Sequence, residues 1–416
     1  MHYQIKNNLI NIAILIMGAC SLLFNYGHSY APFFIFLLSW TAFTEKFKST
    51  IDNDDKKLIG AFYLYFLVVL LDTLIHEEPL SNLDLAVRFA IGGWFIYYLS
   101  RYQLSHAMLW TGLVIGAISA GIYAIYAQQF LGMVRVKPEG LSSLNEIHFG
   151  NLSMMMAMCC FAGIFWANTL KYRRIAISIL FVAGLLAVIA SLLSGTRSGW
   201  LGSPFVLLAL YSFFADHFSK KVAVSTATLI LAIIIAIVAI PQTHVQGRVL
   251  QAKDDIMHYL DGNSSTSSGL RFEMWRSGYA AFKEKPILGW GEQNFYQRQK
   301  ELVDELQFNP LILTFNHLHN QYVEELAKRG IIGLASLLLL FVVTMRLFFK
   351  RLRSPNDKVR ALAAAGVISV ICMIDFCFTQ AMLRITSGVM VFIYFIVFFW
   401  AVMRSEERSL NNTHAI

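Results

Sequence analysis

Two arginines and a histidine, Arg197, Arg271 and His319, are the residues whose chemistry and placement most invite a reaction. An arginine holds phosphate through a planar fork of donors that stays charged at any physiological pH. A histidine, with an ordinary pKa near ~6.5, can take a proton from a hydroxyl. Together they suit displacement of a diphosphate by a hydroxyl, the guanidinium groups stabilising charge as it grows on the leaving group. Each has a plainer reading. Arg197 lies in a tight Gly195-Thr-Arg-Ser-Gly199 turn and could snorkel to lipid phosphates. Arg271 could be a solvated charge on an amphipathic helix, with Arg276 its rival for the functional role. His317 lies two residues before His319, and either could simply cap a helix.

The elements that position these residues follow from composition. Hydrophobic residues make up 56% of the 416 and charged residues 14%, too little polar surface to cover a soluble globule of this length, so lipid must serve as part of the solvent. A hydrocarbon core ~30 Å thick needs about 20 apolar residues per helix. Twelve runs approach that length, near residues 9–25, 29–44, 58–76, 85–100, 107–129, 147–170, 175–194, 200–216, 222–241, 330–349, 361–379 and 383–403. The first lacks a basic leader and a small-residue cleavage site, so it reads as a retained helix. All five cysteines fall inside apolar runs and read as packing residues.

Alternate connectors carry the basic residues, among them Lys56 and Lys57, Arg173 and Arg174, Lys350 to Arg360, and Arg404. The positive-inside rule puts those connectors in the cytoplasm and the others outside. Twelve spans with both termini inside satisfy every connector. The expected fold is therefore an all-α integral membrane protein of about twelve transmembrane helices. Residues 1–241 form an N-terminal bundle of about nine helices, residues 242–329 one large periplasmic loop, and residues 330–416 about three further helices with a cytoplasmic tail. The formal charge of +8 belongs to short connectors, which argues against nucleic acid and for membrane lipids as the partner of the basic side chains.

Within the long loop, Gly262 to Gly269 reads as a turn that caps the next helix from Ser267 or Ser268. Phe272, Trp275, Tyr279 and Phe282 recur at helical spacing up to Pro286. That helix should lie on the bundle or in the headgroup zone, with Trp275 an interfacial anchor. Gly289-Trp-Gly291 supplies a sharp turn, and a second short helix should run from about His319 into the tenth span. This topology, fixed by lysine and arginine alone, puts Arg197, Arg271 and His319 on one side of the membrane.

His319-Asn320, nine residues, then Gly330-Ile-Ile-Gly333 resembles the signature of O-antigen ligases and the related O-antigen polymerases. Leu334 follows where ligases often carry Thr, Asn or Tyr. Leu193-Ser-Gly-Thr-Arg197-Ser-Gly-Trp resembles the family's Ser/Thr-x-Arg turn. Leu270-Arg271-x-x-x-Trp275 with Lys283-x-x-Pro286-x-x-Gly289-x-Gly291 resembles its periplasmic helix and turn, and Asn145-x-Ile-x-Phe-Gly150 agrees loosely. The resemblance implies a glycosyltransferase of the bacterial inner membrane whose active site faces the periplasm. It would move polysaccharide from undecaprenyl diphosphate to a hydroxyl on lipid A-core. Arg197 and Arg271 would hold the diphosphate, His319 would be general base or position the acceptor, and Asn320 would contact substrate. No Asp-x-Asp or acidic ligand cluster stands in the loop, so neither metal nor cofactor is expected. The closest rival is a polymerase using the same donor; a twelve-span transporter or flippase is the rival from another class, although no internal repeat supports it.

Charges inside spans are costly and usually partnered. Arg88 is expected to contact donor phosphate or pair with a carboxylate. Asp375 is expected either to pair with Arg384 or to orient the histidine or the acceptor. Gly330 and Gly333 read as sites of close helix packing.

Overall fold

The computed structural model describes residues 2–44, 50–196, 198, 202–213, 228, 235 and 245–414. Among these, the regular structure is entirely helical. The principal helices are α1 (His2–Cys20), α2 (Gly27–Ser39), α3 (Asn53–Ile75), α4 (Asp84–Leu99), α5 (His106–Phe130), α6 (Glu146–Ala167), α7 (Arg173–Leu193) and α8 (Ser203–Phe213). They continue with α9 (Val245–Leu260), α10 (Ser267–Glu284), α11 (Glu292–Leu306), α12 (Gln321–Phe349), α13 (Asp357–Thr379) and α14 (Thr386–His414). Seven described helices, α3, α5, α6, α7, α12, α13 and α14, are long and apolar enough to cross a membrane. The chain is a multi-pass membrane protein. Helices α1, α2, α4 and α8 coincide with further expected runs, whereas the run 222–241 lies mostly outside the described residues.

Starts are set by short polar side chains that satisfy the first free N–H groups. Asp52 accepts from the backbone of Asp54 and Asp55 while Asp55 answers to the backbone of Asp52, a reciprocal cap at the head of α3. Asn145, Asn320 and Asn356 cap α6, α12 and α13. The cap of α10 is Thr266, one residue before the expected serines; it accepts from Gly269 N, and Ser268 is instead committed to Asp255. Burial identifies the middle of the bundle: the apolar windows of α6 and α14 are 94% buried, against 39% for α3. Both therefore lie within protein, and α3 faces lipid along much of its length.

The two ends of the bundle differ in their ion pairs. At the end carrying the basic connectors, Arg351 bridges Glu407 (2.8 Å) and Asp54 (3.1 Å) while its guanidinium lies 4.6 Å from the centre of the Trp400 ring. Asp55 accepts from Trp400 Nε1 at 2.7 Å and pairs with Arg404. The opposite end carries the residues 245–320. These are not a slack loop: Met274, Ala281, Phe295, Leu302, Val303, Phe308, Ile312 and Leu318 form a second buried core, separate from that of the bundle.

This cap is fastened to α12 through a break in that helix. Gly330 has φ 60° and ψ −155°, a conformation open essentially to glycine alone. The helical bonds lost there are replaced from outside: Ile331 N donates to Pro286 O (2.8 Å), Trp290 N to Ala327 O (3.1 Å) and Gly291 N to Lys328 O (2.8 Å). A Cβ on Gly330 would fall 2.3 Å from Ile287 O, and one on Gly289 would fall 2.4 Å from the Lys328 carbonyl. The expected close packing at Gly330 is thus between a helix break and the 286–291 turn.

Candidate active site

Where the cap meets the bundle, the chain from Asn316 to Asn320 is clamped at its middle residue. The Leu318 carbonyl accepts from Trp275 Nε1 (3.0 Å), and its N–H donates to Glu324 Oε2 (2.7 Å). Trp275 therefore braces this loop through its indole N–H. His317 and His319 stand on either side of the clamp with ring centres 4.2 Å apart, and Phe315 presents its ring to His319 at 5.4 Å. His319 adopts φ 50°, left-handed backbone uncommon outside glycine and held here by its neighbours.

Both histidine rings converge on Gln380, in the connector between α13 and α14. Its Oε1 lies 2.5 Å from His319 Nδ1 and 3.3 Å from His317 Nε2, and its Nε2 lies 3.2 Å from Nε2 of His148 on α6. An amide oxygen only accepts, so the short contact puts the proton of neutral His319 on Nδ1 and leaves a lone pair on Nε2. Burial, with help from the adjoining His317 and the charge of Arg271, lowers the His319 pKa to about 3. Burial likewise lowers that of His317. The ring is a neutral imidazole at physiological pH, oriented and able to accept a proton.

Beneath the histidines lies a charge cluster that joins three parts of the chain. Lys328, fully buried, reaches Glu292 Oε1 (2.9 Å), Tyr296 OH (3.1 Å) and Glu324. Arg384 closes on both oxygens of Glu292 (2.7 and 2.6 Å) and lies 3.5 Å from Glu324. Two acids and two bases balance, as burial requires. A neighbouring set ties α12 to α3: Arg329 pairs with Glu325 (2.8 Å) and Asp72 (3.2 Å), while Tyr65 donates to Glu325 (2.9 Å).

The expected site residues divide. Arg271, on α10, lies near enough to His319 for its charge to act on that ring. Arg197 lies outside the described residues, but both its neighbours are anchored to α6: Thr196 Oγ1 donates to Glu146 O and Ser198 Oγ to Asn151 Oδ1, each at 2.9 Å. His148 stands on the same turns of that helix. Asn320 caps α12 through Oδ1 and donates from Nδ2 to Phe378 O at 3.0 Å. Arg276 pairs with Glu273 (2.8 Å) and covers the Phe308 ring at 5.2 Å. Arg88 pairs with Asp84 one turn earlier at 2.7 Å, a carboxylate partner of the kind expected. Asp375 accepts from Gly202 N at 3.0 Å, while Arg384 takes Glu292; the Asp375–Arg384 pair is not formed. Its reason is competition: a bidentate partner on α11 reaches Arg384, and Gly202, just before α8, supplies Asp375 with a backbone donor. Gln380, His148 and the Glu292–Glu324–Lys328–Arg384 cluster went unread in the sequence. The one available signal was His148, which fills an open position of the Asn145-x-Ile-x-Phe-Gly150 motif.

Comparison with known proteins bears on the same region. Residues 182–338 match the family model described as O-antigen ligase, a segment that includes α10, α11, the clamped loop and the break in α12. Along most of its length the chain is similar to an uncharacterized protein of Haemophilus influenzae (strain ATCC 51907 / DSM 11121 / KW20 / Rd), with 27% identity over 382 residues, 91% of this chain and 94% of that one. It is also similar to an O-antigen ligase of Escherichia coli (strain K12), 23% identical over 353 residues, covering 84% of this chain and 73% of the relative.

Proposed function

From the match of residues 182–338 to the O-antigen ligase family model, we propose that this chain is a member of that family and transfers a glycan from a polyisoprenyl diphosphate, undecaprenyl diphosphate in a bacterium, to a hydroxyl of lipid A-core. We assign the reaction to the end of the bundle that carries the cap; the basic connectors at the other end support a periplasmic, inner-membrane setting for it. One observation carries this reading: His319, inside the family segment, is held by Gln380 with Nδ1 protonated and Nε2 able to accept a proton.

The acceptor hydroxyl would give its proton to His319 Nε2 as its oxygen attacks the anomeric carbon, and the bond from that carbon to the diphosphate oxygen breaks. Attack from the face opposite the leaving group inverts the anomeric centre. Arg271 and Arg197 would receive the diphosphate, whose growing charge they stabilise. Binding the anionic donor also offsets the Arg271 charge, one of the influences that with burial weaken His319 as a base, so the imidazole gains basicity once the donor is in place. No protein-held metal or cofactor enters the scheme.

The test is incubation of the purified protein with lipid-linked donor alone and with donor plus lipid A-core, each with and without chelator. The proposal predicts glycan on lipid A-core in the second mixture at a rate chelator leaves unchanged. Lengthened lipid-linked glycan from donor alone, with no lipid A-core product, would assign the chain to the polymerases instead. Loss of all transfer in chelator would overturn the metal-free scheme.

A further inference from the structure

At the end of the bundle remote from the histidines, a cleft of about 750 Å³ opens between α3 and α12. Its walls are apolar and face outward: Leu64 is 41% and Leu339 43% exposed. Its floor has an unusual feature. Gly60 lies in the interior of α3, where glycine costs about 1 kcal/mol of helix stability relative to alanine, yet a Cβ there would meet nothing within 4 Å. The chain gains no close packing from this glycine; it gains room. The mouth is cationic. Lys57 and Lys350 share the single carboxylate of Asp54, at 3.6 and 3.1 Å, which is also met by Arg351 at 3.1 Å, and Arg346 lines the same cleft. Arg346 is exposed, and its guanidinium has no hydrogen-bond or ion-pair partner among the described residues.

Depth and chemistry agree. At 1.5 Å per residue, Leu64 stands about 10 Å along α3 from Lys57, and Leu339 stands about 16 Å along α12 from Lys350. Cations at the helix ends and an apolar channel below them match the two parts of one ligand, a phosphate at headgroup depth and an acyl chain beneath it. We propose that this cleft is a binding site for one anionic phospholipid, distinct from the glycan-transfer site, with Lys57, Arg346 and Lys350 holding the phosphate and the chain lying over Gly60.

The experiment is native mass spectrometry of the full chain, delipidated in detergent and titrated separately with phosphatidylglycerol and phosphatidylcholine. Wild type is expected to retain the first over the second by roughly tenfold or more, the contribution of two or three exposed cations at a headgroup. Lys57→Gln with Arg346→Gln, both exposed and neither essential to a buried pair, should bring the two lipids to within about twofold. Gly60→Leu should lower retention of both, because it puts a side chain into the cleft from a Cβ position with no protein atom within 4 Å, and improves helix propensity. Equal retention of the two lipids by wild type, an undiminished preference in the double variant, or unaltered retention in Gly60→Leu would each overturn the site.

Discussion

Replacing Lys328 by methionine tests whether the cap is held by charge balance. The ammonium is fully buried against Glu292 and Glu324, with Arg384 the other cation of the group. Methionine keeps much of the volume but leaves two carboxylates facing one guanidinium. Removing one partner of a buried pair costs about 3–5 kcal/mol, since the survivor remains desolvated. Glu324→Gln alone should also be costly, leaving two cations on one acid and weakening the brace on Leu318 N. In the double variant the bidentate Glu292–Arg384 pair remains balanced, so its loss should fall below about 2 kcal/mol, well short of the sum. The assay is amide hydrogen exchange read at Trp290 and Gly291, whose N–H groups bond to Ala327 O and Lys328 O across the docking seam. Lys328→Met should lower their protection by roughly 10²–10³-fold, and the double variant should recover most of it. Additive losses in the double variant would refute charge balance as what fastens the cap.

Other outcomes follow from the same geometry. Because burial and nearby charge hold the His319 pKa at about 3, kcat/KM of wild type should show no acid limb near pH 6.5 from this ring; Gln380→Glu, which puts a carboxylate on Nδ1, should create one, and identical profiles would contradict the assigned contact. The sign for stability is the reverse of a salt-bridged histidine. The unfolded chain binds a proton below ~6.5 that folded His319 refuses, so stability falls as pH drops from ~6.5 toward 3, by up to about 1.4 kcal/mol per unit; His319→Gln should remove that part of the slope in pH-dependent unfolding. Gly330→Ala, with its Cβ against Ile287 O and its backbone driven from φ 60°, should cost about 2–4 kcal/mol of cap docking, visible as lost protection at Ile331. Asp375→Asn keeps an acceptor for Gly202 N and should change thermal stability by less than about 1 kcal/mol, whereas Asp375→Leu should lose about 1–3 kcal/mol.

Patterns that repeat along one segment were legible in the sequence; contacts between distant segments were not. Apolar runs located the long helices because each span needs a continuous stretch of its own. Alternating basic connectors anticipated that the connectors holding Lys56, Lys350 to Arg360 and Arg404 would share one end, as the Arg351–Asp54 and Arg404–Asp55 pairs do. The aromatic spacing of 272–282 marked α10. Helix α11 escaped, being rich in charge: Arg298 on it reaches Glu284, Glu301 and Glu305, so its stability comes from ion pairs and one buried face that no apolar run announces. Gln380 escaped for a different reason. A glutamine between two apolar helices carries no signature; its meaning arises only when the fold brings residues 148, 317 and 319 to its amide. Asp375 and Arg384, near neighbours in the chain, suggested a pair, yet each found a better-placed partner on another element.

Turnover of His319→Ala, compared with wild type at equal membrane level and with donor binding measured in parallel, tests the central claim most directly. A general base contributes roughly 10²–10⁴-fold, so transfer of glycan to lipid A-core should fall by at least ~10² while donor still binds and cap amides keep their protection. Transfer within a few-fold of wild type would show that the proton leaves the hydroxyl by another route, and His319 would then be a structural residue of the clamp.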